Sequence, residues 1–216
     1  MAKRSPAHQA MAVVSGLAVG ACSVFGIRSG TEEPHYDTVA RIGPVEIRHY
    51  APRLAAETVV ATDDPDRARS EGFRRIAGFI FGGNRTKQSI AMTAPVAAEP
   101  QSAKIAMTAP VEAGTPEGGG WRIRFFMPSS YTAETLPVPN DPRVQIVTLP
   151  ASTYAVYRYS GSISQAHIAD ARAKLAAGLA GSGWTAAGTV ADWFYDPPWT
   201  LPPLRRNEAA VPVVRQ

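Results

Sequence analysis

The stretch VEIRHYAPRLAAETVVATDDPDRARSEGFRRIAGFIFGGN, from Val45 to Asn84, decides the fold. VEIRHY (Val45–Tyr50) alternates apolar and polar residues, which places every second side chain on one face of a half-buried strand. LAAETVVA (54–61) predicts a second strand, with Ala51, Pro52 and Arg53 as the break between the two. Asp63-Asp64-Pro65 predicts a helix start, because an acidic residue caps free N–H groups and proline suits the first turn. Over 66–81, Ala68, Gly72, Ile76, Phe79 and Ile80 recur at helical spacing, and Gly82-Gly83-Asn84 ends the run.

Downstream the same order returns. Residues 104–111 and 121–127 predict strands on either side of a Gly-rich loop at 114–120. Residues 144–149 and 154–159 predict two more, and Gly161-Ser162 leads into a helix over 164–180 with Ile168, Leu175 and Leu179 on one face. After Gly181-Ser182-Gly183 come strands at 184–190, 192–195 and 209–214. Two successive strand–strand–helix–strand–strand units predict a duplicated, pseudo-twofold α+β domain with mainly antiparallel sheet. Two such halves facing one another predict an apolar cleft between them.

The 216 residues are enough for one well-filled domain, and 45% hydrophobic with 19% charged residues is a globular composition. One cysteine excludes an intramolecular disulfide and any Cys-rich metal site. The organised chain begins near Tyr36. Ahead of it, Lys3 and Arg4 precede a charge-free apolar run over 10–25, shorter than the roughly 20 residues a spanning helix needs. This pattern predicts an export signal over 1–21. Val19-Gly20-Ala21-Cys22 resembles a bacterial lipobox, in which Cys22 is acylated and becomes the mature N-terminus. A secretory signal with a coincidental cysteine and an uncleaved anchor are the alternatives. Residues 22–34 are expected as a flexible linker and 35–216 as the folded domain. Without Lys3 and Arg4 the basic count falls from 22 to 20 against 18 acidic residues, with no basic stripe, so no nucleic-acid partner is expected.

A shorter repeat lies inside the first half. IAMTAPV at 90–96 recurs unchanged at 105–111. Pro95 and Pro110 lack an N–H, so each copy is expected at a strand end or bulge. Met92 and Met107 are candidates to line a ligand cavity, since thioethers adapt to flat aromatic ligands; ordinary core packing is the plainer alternative.

The repeated IAMTAPV, FGGN (81–84), FFMP (125–128), LPVPNDP (136–142), YDPPWTLPPLRRNE (195–208) and EIRHYAP (46–52) together resemble the SOUL heme-binding protein family, over about Glu33 to Val214. The resemblance implies a pseudo-twofold α+β domain, a distorted antiparallel β-barrel with two flanking helices, similar in build to the effector-binding domains of the DNA gyrase inhibitor group. It also implies loose binding of heme or another tetrapyrrole in a hydrophobic cleft, as bound ligand rather than catalytic cofactor.

On that implication Phe79, Phe81, Ile90, Met92, Met107, Phe126 and Met127 are the expected cleft walls. Arg85 and Lys87 are candidates to pair with heme propionates, or else solvated loop charges. His49, in EIRHYAP, matches the position of a proposed axial ligand in some family members; a structural histidine on the face of Val45 and Ile47 is the alternative. His35 precedes the folded region, and His167, early in the second predicted helix beside Gln165 and Asp170, is placed at the surface. Arg205-Arg206-Asn207-Glu208 is expected to form an internal ion-pair network, with Trp199 as a buried anchor of the preceding turn. Glu57 is read as a polar-face glutamate.

No HExxH, GxSxG, Walker A or dinucleotide glycine motif occurs in the sequence, and Ser162 and Ser164 near His167 do not make a triad. The expected function is noncatalytic capture, buffering or carriage of heme at the cell envelope. The expected form is a monomer held to the membrane through Cys22, or a periplasmic or secreted protein if Cys22 is not acylated. An enzyme acting on a tetrapyrrole or another small molecule, and an envelope interaction module without a ligand, are the alternatives.

Overall fold

The computed structural model describes residues 31–101 and 120–216. The strands expected at 121–127, 144–149, 154–159 and 209–214 form as β5 (Gly120–Phe126), β6 (Gln145–Leu149), β7 (Ser152–Tyr159) and β10 (Asn207–Arg215). Those at 45–50 and 54–61 form as β2 (Val45–Tyr50) and β3 (Arg53–Val60), and that at 192–195 as β9 (Ala191–Phe194). Two further strands are present. β1 (Asp37–Ile42) is a mostly exposed edge strand hairpinned onto β2 through Gly43, whose φ of 55° suits glycine. β4 (Val96–Gln101) begins just after Pro95, where a residue without an N–H is tolerated. The strand expected at 104–111, with the second IAMTAPV copy and Met107, lies outside the described residues.

β8 (Trp184–Ala186) is shorter than the expected 184–190. Its partner β10 carries Pro212 opposite the next position. The Ala187 N–H donates to the Pro212 carbonyl, but proline has no N–H to return and the ladder stops.

The first helix, α1 (Pro65–Ile80), is capped by Asp64, whose carboxylate accepts from the N–H groups of Asp66 and Arg67 at 2.8 and 3.2 Å. It buries the expected stripe of Ala68, Gly72, Ile76, Phe79 and Ile80, with Ala77. α2 (Gln165–Leu179) starts on Ser164, which accepts from the His167 N–H, and buries Ile168, Ala171 and Leu175.

The strands form one antiparallel sheet in the order β1-β2-β7-β10-β9-β4-β5-β3-β6, with β8 on β10. The duplication is visible in that order. Exchanging β2 with β6, β3 with β7, β4 with β9 and β5 with β10 turns the path from β2 to β6 into its own reverse, about an axis between β4 and β9. Each half lends its first strand to the other, since β2 pairs with β7 and β6 with β3. β1 adds a strand outside β2 that has no counterpart outside β6 among the described residues. The two ends do not pair among the described residues, so the sheet is not closed and "barrel" describes it only loosely.

Both helices lie on one face. Ile123, Phe125 and Ala98 pack with Ile76, Phe79 and Ile80 of α1, while Val45, Ile47, Ala155, Ala209 and Val211 pack with Ala171 and Leu175 of α2. Among the described residues the opposite face has no helix, and it carries a third cluster of Tyr50, Ala55, Ala97, Phe126, Val156, Ala191, Trp193 and Ala210.

α1 approaches β5 at Gly72, where an added Cβ would come within 2.4 Å of Ile123 Cγ1; at Gly78 nothing lies within 4 Å. Gly72→Ala is therefore expected to lose about 1–3 kcal/mol through overpacking, against a helix-propensity gain of about 1 kcal/mol. Gly78→Ala is expected to gain about 0.5–1 kcal/mol. Urea unfolding midpoints of the two variants check the pair, which should shift in opposite directions.

Candidate functional site

The loop after α1 is built around Asn84. Its side chain is fully buried and fully engaged: Nδ2 donates to the carbonyls of Phe79 and Gln88 at 3.1 and 2.6 Å, while Oδ1 accepts from Thr86 Oγ1 and the Gln88 N–H, each at 3.0 Å. An asparagine here closes a turn that the backbone alone would leave unsatisfied. The Ile90 N–H donates to the Ile80 carbonyl, and the Arg85 N–H to Val138, so segments 85–90 and 138–140 are tied to the helix end.

That scaffold leaves an apolar, cationic rim. Phe81 is 66% exposed, Val138 49% and Met92 38%. Arg85 and Lys87 are exposed on the same loop, and neither has a carboxylate partner among the described residues. Phe79, Ile90 and Met127 lie beneath, buried in the α1 core. Phe126 points to the helix-free face. The expected cleft residues thus occupy three places: rim, helix core and opposite face. The reason is strand and helix geometry, since adjacent Phe126 and Met127 face opposite ways and Phe79 lies on the buried stripe of α1 while Phe81 is past its end. Met107 and Cys22 lie outside the described residues.

His49 is on the face of Val45 and Ile47, as the alternation implies, but it is exposed and its Nδ1 lies 3.1 Å from Thr153 Oγ1. Its cross-strand partners are Asp37 and Thr153, a polar setting. His35 and His167 are exposed. Glu32 and Glu33, expected in the linker, are joined to the domain: Glu32 accepts from the Ala94 and Ser129 N–H groups, and Glu33 pairs with Arg206 at 2.9 Å.

Across the helix-free face, the space expected as an apolar cleft is filled by the protein itself. Tyr50, Tyr154 and Trp193 meet at ring-centroid distances of 5.3–5.9 Å, and Phe126 reaches Trp193 at 6.2 Å. A cavity of about 20 Å³ remains, lined by Arg53, Glu99, Arg122, Arg124, Phe126, Tyr154 and Trp193 among others. Sequence reasoning did not single out Arg53, Arg122 or Arg124. The available signal was WRIRFF, in which two arginines alternate with Trp121, Ile123 and Phe125 and so share the face opposite the α1 core.

Ion pairs line both ends of this face. Glu57 and Glu99 are shared by Arg122 and Arg124 at 2.6–3.3 Å. At the other end Glu208, fully buried, accepts from Arg48 at 2.8 Å, Arg206 at 2.9 Å and the Tyr195 hydroxyl at 2.7 Å. Burial pushes the Glu208 carboxyl up, but Arg48, Arg206 and Tyr195 outweigh it and hold the group below the ordinary glutamate range. Asn207 also joins the network's frame, donating to the Gly161 carbonyl. Trp199, expected as a buried anchor, is 62% exposed. Arg205 orders that turn instead, donating to the carbonyls of Thr200 and Pro198 at 2.8 and 2.6 Å.

The family model described as SOUL heme-binding protein matches residues 31–212. Heme-binding protein 2 of mouse and of human are each 43% identical over 54 residues, 25% of this chain; the aligned stretch spans 26% of their own length. Among solved structures, an uncharacterized conserved protein from Listeria innocua is similar in fold with a TM-score of 0.59 at 12% identity, covering 81% of this chain and 94% of its own. The C-terminal domain of EcmrR has a TM-score of 0.56 at 10% identity, covering 84% and 99%. A hydrolase from Listeria innocua has a TM-score of 0.51 at 11% identity, covering 82% and 94%.

Because the native pKa of Glu208 is depressed, its contribution to stability is present above the unfolded-state pKa and is lost as pH falls through the native one. Glu208→Gln should cost about 3 kcal/mol near neutral pH, since it breaks a fully buried ion pair and leaves Arg48 and Arg206 with only the partly exposed Glu46 and Glu33 as counter-charges. It should also flatten the acid limb of the stability curve. Urea unfolding of both proteins between neutral and acidic pH measures the two effects together.

Proposed function

The chain belongs to the SOUL heme-binding protein family, and from that premise we propose that it is a noncatalytic binder of heme or a related tetrapyrrole that captures, buffers or carries its ligand at the cell envelope. The observation that carries this reading is the rim after α1, where Phe81 and Val138 are exposed beside Arg85 and Lys87, with Met92 exposed further along the chain that leaves this loop. Large apolar side chains left in water gain when a flat apolar ligand covers them. Two cations on the same loop can pair with the macrocycle's carboxylates while it lies there. Phe79, Ile90 and Met127 support that surface from beneath, and Met107 is proposed as a further contact from the second copy of the repeat.

The rim suits an open-face mode of binding, with apolar contact and charge pairing as the main contributions. For the iron, His49 offers an exposed imidazole whose Nδ1 is engaged by Thr153, which leaves Nε2 as the ligating atom. It lies on β2, away from the loop of Phe81, so the proposal treats iron ligation as secondary. The carboxylates on the helix-free face are committed to arginines, which favours a binder over an acid–base catalyst. Acylation of Cys22 is proposed as the route to the membrane.

Optical titration of a Cys22→Ser form of the chain with hemin tests the reading. A saturable, shifted Soret band is expected. A double variant, Phe81→Ala with Met92→Ala, should weaken binding about tenfold or more, equivalent to about 1.4 kcal/mol. His49→Ala should leave the affinity within a few-fold and at most move the band. No saturable band, or an unchanged affinity in the double variant, would refute the site. For the anchor, the wild-type chain should fractionate with membranes and carry acyl mass on Cys22, and the Cys22→Ser form should be soluble.

A further inference from the structure

The connection between β9 and β10 contains a run without charge, PPWTLPPL at 197–204, bounded by Asp196 and Arg205. Ten large hydrophobic side chains are exposed among the described residues, and three of them fall in this run: Trp199 at 62%, Leu201 at 47% and Leu204 at 44%. Pro198, Pro202 and Pro203 are exposed beside them, so the run is one continuous apolar tip. Its shape is fixed from within. The Thr200 N–H donates to the Pro197 carbonyl at 3.1 Å and the Leu204 N–H to that of Leu201 at 2.9 Å, with a turn of 3-10 helix over Pro202–Leu204. The N–H groups of Gly161 and Arg205 both donate to the Pro202 carbonyl, and the Arg205 guanidinium holds those of Thr200 and Pro198.

That internal bonding decides what the tip can touch. Pro197, Pro198, Pro202 and Pro203 have no N–H, and the carbonyls of Pro197, Pro198, Thr200, Leu201 and Pro202 all accept from within the protein. Backbone satisfied in this way loses little when water is withdrawn, the condition for entering the interface of a bilayer. A chain already held by prolines also loses little entropy on contact. Tryptophan suits that depth, with an apolar ring and one polar edge. The tip also stands where the described chain begins. Glu33 pairs with Arg206 at 2.9 Å, and the Arg206 N–H donates to the Asp196 carboxylate at 2.6 Å, so Glu33 is fastened at the base of the 197–204 run. Ten residues, 23–32, separate Glu33 from Cys22 and reach about 40 Å at most when fully extended. A lipid on Cys22 therefore pulls on the domain from the side of the tip.

We propose that the 197–204 tip is a membrane-contact surface that rests in the headgroup region of the phospholipid bilayer carrying the Cys22 anchor. Trp199, Leu201 and Leu204 are the immersed side chains, and Arg205 at the base of the tip lies at the level of the phosphates. The inference is independent of the tetrapyrrole site and rests on the anchor reading for its orientation. Three side chains are too few to hold the chain to a membrane unaided, so the Cys22→Ser form stays soluble. The tip determines how the tethered domain sits on the surface.

The test couples the full chain, through the thiol of its single cysteine, Cys22, to a maleimide-headgroup lipid in phosphatidylcholine vesicles, with co-flotation confirming the tether. The tether is then present whether or not the cell acylates Cys22. Tryptophan fluorescence is compared in vesicles with and without bromine on the acyl chains. Trp193 is buried and Trp121 and Trp184 are half-buried, which leaves Trp199 as the exposed one of the four. Bromine is expected to quench the wild-type chain, with the quenched fraction falling at least fivefold in Trp199→Phe. It should fall as far in the double variant Leu201→Glu with Leu204→Glu, both exposed positions, whose urea midpoint should match the wild type. Val214→Glu, an exposed position at the other end of β10, should leave it unchanged. Absence of Trp199-dependent quenching in a tethered chain overturns the proposal and gives the tip to a protein partner. Equal quenching in the glutamate double variant, or equal loss in Val214→Glu, also overturns it. Acyl mass on Cys22 from cells is read separately, so failure of the anchor and failure of the tip are distinct results.

Discussion

The structure depends on a constraint set by its layers: one antiparallel sheet has both helices on the same face. The covered face is solved conventionally, with Ile76, Phe79 and Ile80 of α1 and Ala171 and Leu175 of α2 packed on alternate strand residues. The other face must be made compatible with its surroundings by its own side chains. It uses small residues at Ala55, Ala97, Ala191 and Ala210 to make room for Tyr50, Phe126, Tyr154 and Trp193, which then cover the strands by lying across them. Charged residues occupy the remaining positions, and each carboxylate is held by two arginines.

The two halves solve this in different ways despite their matched topology. In the second half, Glu208 is fully buried and joins β10 to β2 through Arg48 and to the segment after β9 through Tyr195. Arg206 carries the connection on to Glu33 near the start of the described chain. Buried charges of this kind are weak contributors relative to apolar replacements but costly to break, so they specify the arrangement more than they stabilise it. In the first half the acids are partly exposed and shared between Arg122 and Arg124, while Arg53 is held by aromatic rings. A duplicated fold has thus become electrically asymmetric, with its acid sealed at one end and its excess cation at the other.

Much of the architecture was legible because the local signals agreed. Asp64-Pro65 fixed the start of α1, the 68–72–76–79–80 spacing fixed its buried stripe, and VEIRHY matched β2 to the residue. Two strands escaped for physical reasons. DTVARI is an edge strand with little buried surface, and VAAEPQ has two alanines and a proline where alternation would be read. The site was harder. Period-two reasoning put His49 correctly beside Val45 and Ile47, but not beyond the cover of α2, because burial depends on where a helix ends as well as on strand parity. Phe81 and Phe79 look alike in sequence, yet one lies past the helix terminus. The alternation in WRIRFF sets Arg122 and Arg124 opposite the α1 core, but a sequence does not reveal that this face of the sheet is covered by its own aromatic residues.

That cover bears on where a flat ligand can bind. To enter between the halves, a macrocycle would have to separate Tyr50, Tyr154, Trp193 and Phe126, whose mutual contacts are worth about 0.5–1.5 kcal/mol each beyond area burial. It would also have to displace Arg53 from three rings, with the desolvated cation–π contribution lost. The rim after α1 asks for neither change: Phe81 and Met92 already stand in water, and Asn84 fixes the loop beneath them. Binding there forms apolar contact without breaking any. A ligand taken up at such a surface, as proposed, would be held by area and by two cations rather than by enclosure, which favours ready release.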